Sequence, residues 1–191
     1  MGKIVVSVNV TLDGVVQDPT GDEGFKQGGW FDYERAGEEW AKTEYAEALG
    51  AEALLLGRRS YEWFADRWAT RTGDWADRLR SLPKYVVSSS TLEDPDWTNS
   101  KVLKGETLDE VAKLKQELAG DIVVYASGQL SRTLMEHDLV DELRLMVYPV
   151  VLGAGERLFG EISDTKSTRL VDARAVGDAL VLLTYEVVRD A

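Results

Sequence analysis

The sequence predicts a single α/β domain: a mostly parallel mixed sheet layered between helices and closed by an antiparallel hairpin. Three observations carry this. Short β-branched runs alternate with helical stretches up to about residue 136, the order that builds parallel strands joined by crossovers. The last third is nearly all strand, with a turn at Gly177-Asp178, so antiparallel strands are added late. No linker, repeat or composition shift divides the 191 residues, a length that suits one core.

Taken in order, "KIVVSVNVTLDG" is a strand of β-branched residues from Lys3 to about Thr11, stopped by Asp13-Gly14. Residues 12–33 hold five glycines and one proline beside Phe25, Trp30 and Phe31. A loop of that length inside a compact domain is usually functional or disordered. A helix follows from about Glu34 to Leu49, with Trp40, Tyr45, Ala48 and Leu49 as its buried stripe. "AEALLLG" is a short buried strand and "RRSYEWF" begins the next helix. "KYVVSSS" is another strand, and a short one lies near Lys101–Leu103. In "TLDEVAKLKQEL", Thr107 caps a helix whose apolar face is Leu108, Val111, Leu114 and Leu118. The strand "DIVVYA", the helix "SGQLSRTLMEH", the long strand "ELRLMVYPVVLG" and the closing hairpin complete the chain.

Composition narrows the chemistry. With 22 Lys+Arg against 34 Asp+Glu the net charge is -12, which argues against nonspecific nucleic-acid binding. There is no cysteine, which excludes disulfides, thiolate nucleophiles and cysteine-held metals. The one histidine, His137, cannot make a multi-histidine metal site. Its place at a helix end suits a structural role better than a catalytic one. The N-terminus is neither a signal peptide nor a membrane span, so a soluble cytoplasmic protein with no bound metal is expected.

Three strand-to-helix junctions share one design: Gly57-Arg58-Arg59-Ser60, Ser88-Ser89-Ser90-Thr91 and Ser127-Gly128-Gln129-Leu130. A helix N-terminus at the carboxyl end of a strand offers free N–H groups and partial positive charge. Gly57 and Gly128 admit a phosphate close to the backbone, and the arginines can fork onto its oxygens. Each junction alone also reads as ordinary capping and turning. Three on one sheet edge favour a shared nucleotide site in the crevice outside the strand ends. Arg58 and Arg59 oppose the helix dipole unless an anion sits between them and the amides. "VVLGAGERLFG" offers a competing dinucleotide fingerprint at Gly153 and Gly155 with Asp172 beyond. Its third glycine is replaced by Leu158, and fewer than forty residues follow Gly153.

The segments "VNVTLDG", "LLLGRRSYEWF", "KYVVSSSTLEDPDW" and "ASGQLSRTLMEHDLVDELRLMVYPVVLGAGERLF" resemble the dihydrofolate-reductase-like family over about Lys3 to Val188. Within it the chain is most similar to the C-terminal reductase domain of the riboflavin-biosynthesis deaminase/reductase and its small stand-alone relatives. The resemblance implies an eight-stranded mixed sheet and NADPH as cofactor. It places Val10, Leu12, Asp13 and Gly14 beside the nicotinamide, and Gly57, Arg58, Arg59 and Ser60 on phosphates. Ser88 and Ser89 fall near the adenosine, and Ser127, Gly128, Gln129 and Leu130 on the pyrophosphate. True dihydrofolate reductases carry a carboxylate early in the first long helix. Glu38 and Glu39 lie nearby here, with the register open, and "LDGVVQ" lacks the lysine common after Asp-Gly in the riboflavin-pathway enzymes.

The expected activity is therefore NADPH-dependent hydride transfer to a small planar heterocycle, pteridine- or pyrimidine-like, or a related small electrophile. The alternative is a non-catalytic NADPH- or partner-binding module. Asp13 and Glu39 are the candidate catalytic carboxylates, although Asp13 reads better as a turn former. Trp30, Phe31 and Trp40, with Trp63, are candidate walls of a substrate pocket under a glycine-hinged lid. The apolar run from 143 to 152 and the pairing of riboflavin-branch relatives suggest a homodimer through this strand and the hairpin after it.

Overall fold

The computed structural model describes residues 1–88, 92, 96–160 and 163–189. The strands are β1 (Lys3–Thr11), β2 (Ala51–Gly57), β3 (Lys84–Val87), β4 (Ser100–Val102), β5 (Asp121–Tyr125), β6 (Glu142–Tyr148), β7 (Ser167–Val176) and β8 (Leu180–Val188). The helices are α1 (Tyr33–Gly50), α2 (Arg58–Trp68), α3 (Asp74–Ser81), α4 (Thr107–Glu117) and α5 (Gly128–Glu136). One eight-stranded sheet runs β4-β3-β2-β5-β1-β6-β8-β7. β1 through β6 pair in parallel, and only β6–β8 and β7–β8 are antiparallel. The expected mixed α/β fold with its late hairpin is the one observed.

The alternation of side chains along a strand sorts β1 between two layers. Ile4, Val6 and Val8 pack with Val111 and Leu114 of α4 and with Leu130 and Leu134 of α5. Val5 packs on the other face with Leu54, Leu56, Tyr61 and Leu79, under α2 and α3. Ser7 and Asn9 share that second face, and they mark where the apolar packing stops. α1 covers the same face further along, where Trp30, Ala36, Met146, Tyr148 and Leu182 form a third cluster. β6 lies between β1 and β8 with both faces covered, which accounts for its mostly apolar run, interrupted by Arg144.

Several elements depart from expectation. β6 stops at Tyr148, because Pro149 has no N–H to continue the ladder. α1 is kinked at Gly37 (φ 70°, ψ -173°), ahead of the expected buried stripe. Leu49, expected inside, is 54% exposed, while Ala36 and Ala48 are buried. Thr107 is the first helical residue of α4, and Glu106 is the flanking cap. α3 has no counterpart in the sequence reading: eight residues with Ala76 and Leu79 buried are too short to show a period. Among the described residues no helix is long and apolar enough to cross a membrane.

Candidate active site

A cavity of about 590 Å³ opens at the carboxyl ends of β1, β2, β3 and β5. Two junctions form one end of it and are laced together. The Gly57 N–H donates to Ser127 Oγ at 3.0 Å, and the Ser127 N–H donates to Ser60 Oγ at 3.0 Å. Between β5 and α5, Ala126 (φ 50°) and Ser127 (φ 48°) are consecutive left-handed residues. Without glycine that conformation costs roughly 1–2 kcal/mol per residue, and strain of this kind concentrates where a site needs an exact backbone course.

The helix starts divide by charge. α1 is capped by Asp32, whose carboxylate accepts from the Glu34 and Arg35 amides, and α3 and α4 each carry two acids in the first turn. α2 and α5, which both begin at the cavity, have no acid there and no side-chain cap. The positive ends of their dipoles therefore meet the cavity with no acid beside them. Gly57 adopts ordinary extended backbone (φ -70°, ψ 155°), and a Cβ there would meet Ser127 Oγ at 3.7 Å, a normal contact. At Gly128 the nearest atom is Val16 Cγ2 at 3.4 Å. The fold itself does not require glycine at either place, whereas a ligand approaching the backbone does. Arg58 and Arg59 stand on the rim with glutamate partners, Arg58 Nε on Glu62 at 2.7 Å and Arg59 Nη2 on Glu23 at 3.2 Å.

The far end is aromatic. Phe31, Tyr33 and Trp40 stack edge-to-face on one side, and Trp63, Phe64, Trp68, Trp75 and Tyr125 form the other. Ser7 and Asn9 lie between the two ends, and Glu44 lines both this cavity and a smaller one of about 160 Å³ beneath α1. Burial, and then the neighbouring Glu47 carboxylate, pushes Glu44 up to about 8. Desolvation likewise raises the Tyr125 and Tyr148 hydroxyls, so both stay protonated at neutral pH.

The residues proposed from sequence fall into three groups. Gly57, Arg58, Arg59, Ser60, Ser88, Ser127, Gly128, Gln129 and Leu130 come together around the cavity, as do Phe31, Trp40 and Trp63. Val10, Leu12, Asp13 and Gly14 are not among its lining residues. The Asp13 carboxylate accepts from Thr11 Oγ1 at 2.7 Å and from the Gly153 and Leu152 amides at 2.8 and 3.2 Å. The Thr11 hydroxyl and the Gly153 amide hold it down at about 2, which makes it a turn-forming pin. Trp30 is buried behind the wall, its Nε1 donating to Gln17 O. Glu38 and Glu39 point outward onto Lys42. Ser89 lies outside the described residues.

Gly153 and Gly155 open no helix. Gly153 serves Asp13, and Gly155 packs on Val15 and Phe25, so no dinucleotide fingerprint is formed. Asp172 sits on β7 beside the smaller cavity. The loop after β1 is pinned rather than hinged. Asp18 is buried, and its carboxylate accepts from the Glu23 and Phe25 amides at 3.0 Å. Sequence reasoning missed Glu44, Ser7 and Asn9. Polar residues on one face of a central buried strand were the available sign for the last two.

Comparison with known proteins agrees with this fold. A 26% identical relative, an uncharacterized protein YyaP of Bacillus subtilis (strain 168), aligns over 188 residues, 96% of this chain and 94% of its own. A structure described as a riboflavin biosynthesis protein of Shewanella sp. PV-4 superposes at a TM-score of 0.73 with 21% identity, covering 98% of this chain and 99% of that one. A deaminase/5-amino-6-(5-phosphoribosylamino)uracil reductase of Thermotoga maritima matches at 0.65 and 12% identity, over 98% of this chain and 57% of that one. Dihydrofolate reductase of Enterococcus faecalis, complexed with NADP(H), matches at 0.57 and 14%, over 97% and 96%. The model of the RibD C-terminal domain matches residues 2–182, and the chain belongs to that family.

Proposed function

We propose that this chain is a cytoplasmic NADPH-dependent reductase that passes a hydride to a small planar heterocycle or related small electrophile. The observation that carries the reading is the meeting of two uncapped, acid-free helix N-termini at one cavity whose other end is aromatic. The family match and the NADP(H) complex of the Enterococcus enzyme support it. Bound with its phosphates on the two junctions, NADPH would supply the hydride. The α2 and α5 amides, Ser60 and Ser127 are placed to hold the phosphates. The aromatic walls exclude water and orient a flat ring, and Glu44 keeps a proton in the cavity at neutral pH.

Calorimetry tests the cofactor. Exposed pairs such as Arg58–Glu62 and Arg59–Glu23 contribute about 0–1 kcal/mol, while a charge-assisted bond to phosphate contributes roughly 1.5–3 kcal/mol. Exchange onto a 2′-phosphate is therefore favourable. NADPH is expected to bind more tightly than NADH, and Arg58→Ala or Arg59→Ala to cut that preference by about tenfold. Equal affinities for the two nucleotides in the unmodified protein would overturn this role for the arginines. NADPH binding with no oxidation across a panel of ring substrates would favour a binding module instead.

The same reading includes a homodimer. β6 is interior, and the edge strand that the hairpin presents is β7, exposed at nine of its ten positions with Leu170 and Val171 among them. A long uncovered edge strand is a template for pairing. Light scattering at micromolar concentration is expected to give twice the 21.2 kDa chain mass, and Val171→Lys to return it to one. A monomer mass for the unmodified chain would reject the dimer.

A further inference from the structure

The cavity separates charge from aromaticity. Among the described residues lining it, the cations are Arg58 and Arg59, both at the β2–α2 junction. The lining carboxylates are Asp18, Glu23, Glu44 and Glu156. Nearby cations are engaged elsewhere. Arg67 reaches Asp22 at 2.5 Å and lies 4.2 Å over the Trp63 ring, and Arg71 lies over Trp68. Glu44 stands between the two aromatic groups, close enough for its charge to act on both the Tyr125 and Tyr148 hydroxyls. The Trp40 indole N–H, beside it, has no hydrogen-bond partner in the structure.

A phosphate monoester carries nearly two negative charges at neutral pH, and burying it requires cations or several donors around it. The junction end of the cavity has them. At the aromatic end the carboxyl group is Glu44; a nearby dianion would disfavour it as a carboxylate, and as an acid it supplies no cation. Flat rings with N–H groups suit the same surroundings. Tryptophan and tyrosine faces attract them, and a cationic ring gains further from the π faces and the carboxylate.

Resting on the reading of this cavity as a reductase site, we propose that its substrate is a neutral or cationic nitrogen heterocycle without a phosphate group. In this it differs from the phosphoribosylamino-uracil specified in the name of the Thermotoga maritima relative. One arginine pair serves one anionic ligand, and the cofactor takes it.

Calorimetry with two matched pairs tests the proposal, in the presence and absence of NADPH. One pair is 6-hydroxymethylpterin and its phosphate monoester; the other is a ribosylaminouracil nucleoside and its 5′-phosphate. In at least one pair the unphosphorylated member is expected to bind at least tenfold more tightly, and in neither should the phosphate bind as well. A phosphorylated member that matches or exceeds its partner overturns the proposal, as does failure of every ring to bind. If NADPH itself fails to bind, the cofactor reading falls, while the ring titrations still decide this one. Tyr33→Arg, at the half-exposed outer ring of the Phe31–Tyr33–Trp40 stack, supplies the missing cation and leaves Phe31 and Trp40 in place. It is expected to narrow the gap by about tenfold, and Glu44→Lys to do the same from inside. An unchanged gap in a folded Tyr33→Arg protein overturns the assignment of the discrimination to charge.

Discussion

Arg144→Met is expected to destabilise the fold by about 3–5 kcal/mol near neutral pH, the range for breaking a buried ion pair from one side. Arg144 projects from β6 under α1 and holds three carboxylates: Nη1 on Glu47 at 3.0 Å, Nη2 on Asp121 at 2.8 Å and Nε on Glu142 at 2.7 Å. Lys3 adds a second cation, bonded to Glu142 at 2.8 Å and with its charge also felt at Asp121. All four members of the Arg144 cluster keep less than a third of their side-chain surface. Burial works against the Glu142 carboxylate, yet the Lys3 hydrogen bond and the Arg144 charge hold it below its usual range. With methionine in place, Glu47 and Asp121 lose their Arg144 hydrogen bonds, and Glu142 loses the charge that helps to hold it below its usual range. The loss should therefore be largest near pH 7 and shrink towards pH 4. Denaturant midpoints at the two pH values measure it. A loss below about 1 kcal/mol at pH 7 would show the cluster to be solvent-screened.

Glu44→Gln is expected to remove a loss of stability that accompanies rising pH. Glu44 ionises near 4.5 when free and at about 8 in the folded protein, raised by burial and then by Glu47. Between those values the folded state binds the extra proton, so its contribution is complete below about pH 4.5 and is lost as pH rises through about 8. A tenfold difference in proton affinity between the folded and unfolded states corresponds to about 1.4 kcal/mol, which makes the full swing on the order of a few kcal/mol. Glutamine keeps the shape of the protonated acid and never ionises. The variant should match the parent at pH 4 and be the more stable of the two at pH 9. Parallel stability curves for the two proteins would show that Glu44 is solvated in the folded state.

Where periodicity and chemistry agree, the sequence is a sufficient guide. Leu54 to Leu56 end a buried strand at a glycine, and the structure places that glycine at the cavity mouth. The β2–α2 and β5–α5 junctions were legible because each is local, a strand end joined to a helix start, whereas β3 leads to no helix among the described residues and Ser89 to Thr91 lie outside them. Glu44 was not legible, since the non-helical backbone at Gly37 breaks the helical phase counted from Glu34. Trp30 and Phe31 are adjacent in sequence, yet one is sealed behind the wall and the other lines it, a difference that depends on Asp18 folding the loop. Asp13 looked available for chemistry because its partners, Leu152 and Gly153, are about 140 residues away along the chain.

The position of β1 has a consequence for how the protein is made. β1 leaves the ribosome well before its neighbours in the sheet, β5 and β6, which span residues 121–148. A run as apolar as "KIVVSVNV" must then wait, unpaired, while more than a hundred residues follow it. β2, β3 and β4 pair with one another in chain order and can assemble ahead of it. Such long-range closure slows folding and leaves a sticky segment open to other chains. The nascent protein is most exposed to aggregation in the interval between synthesis of β1 and emergence of β6, and this is the interval in which a chaperone would have most to protect.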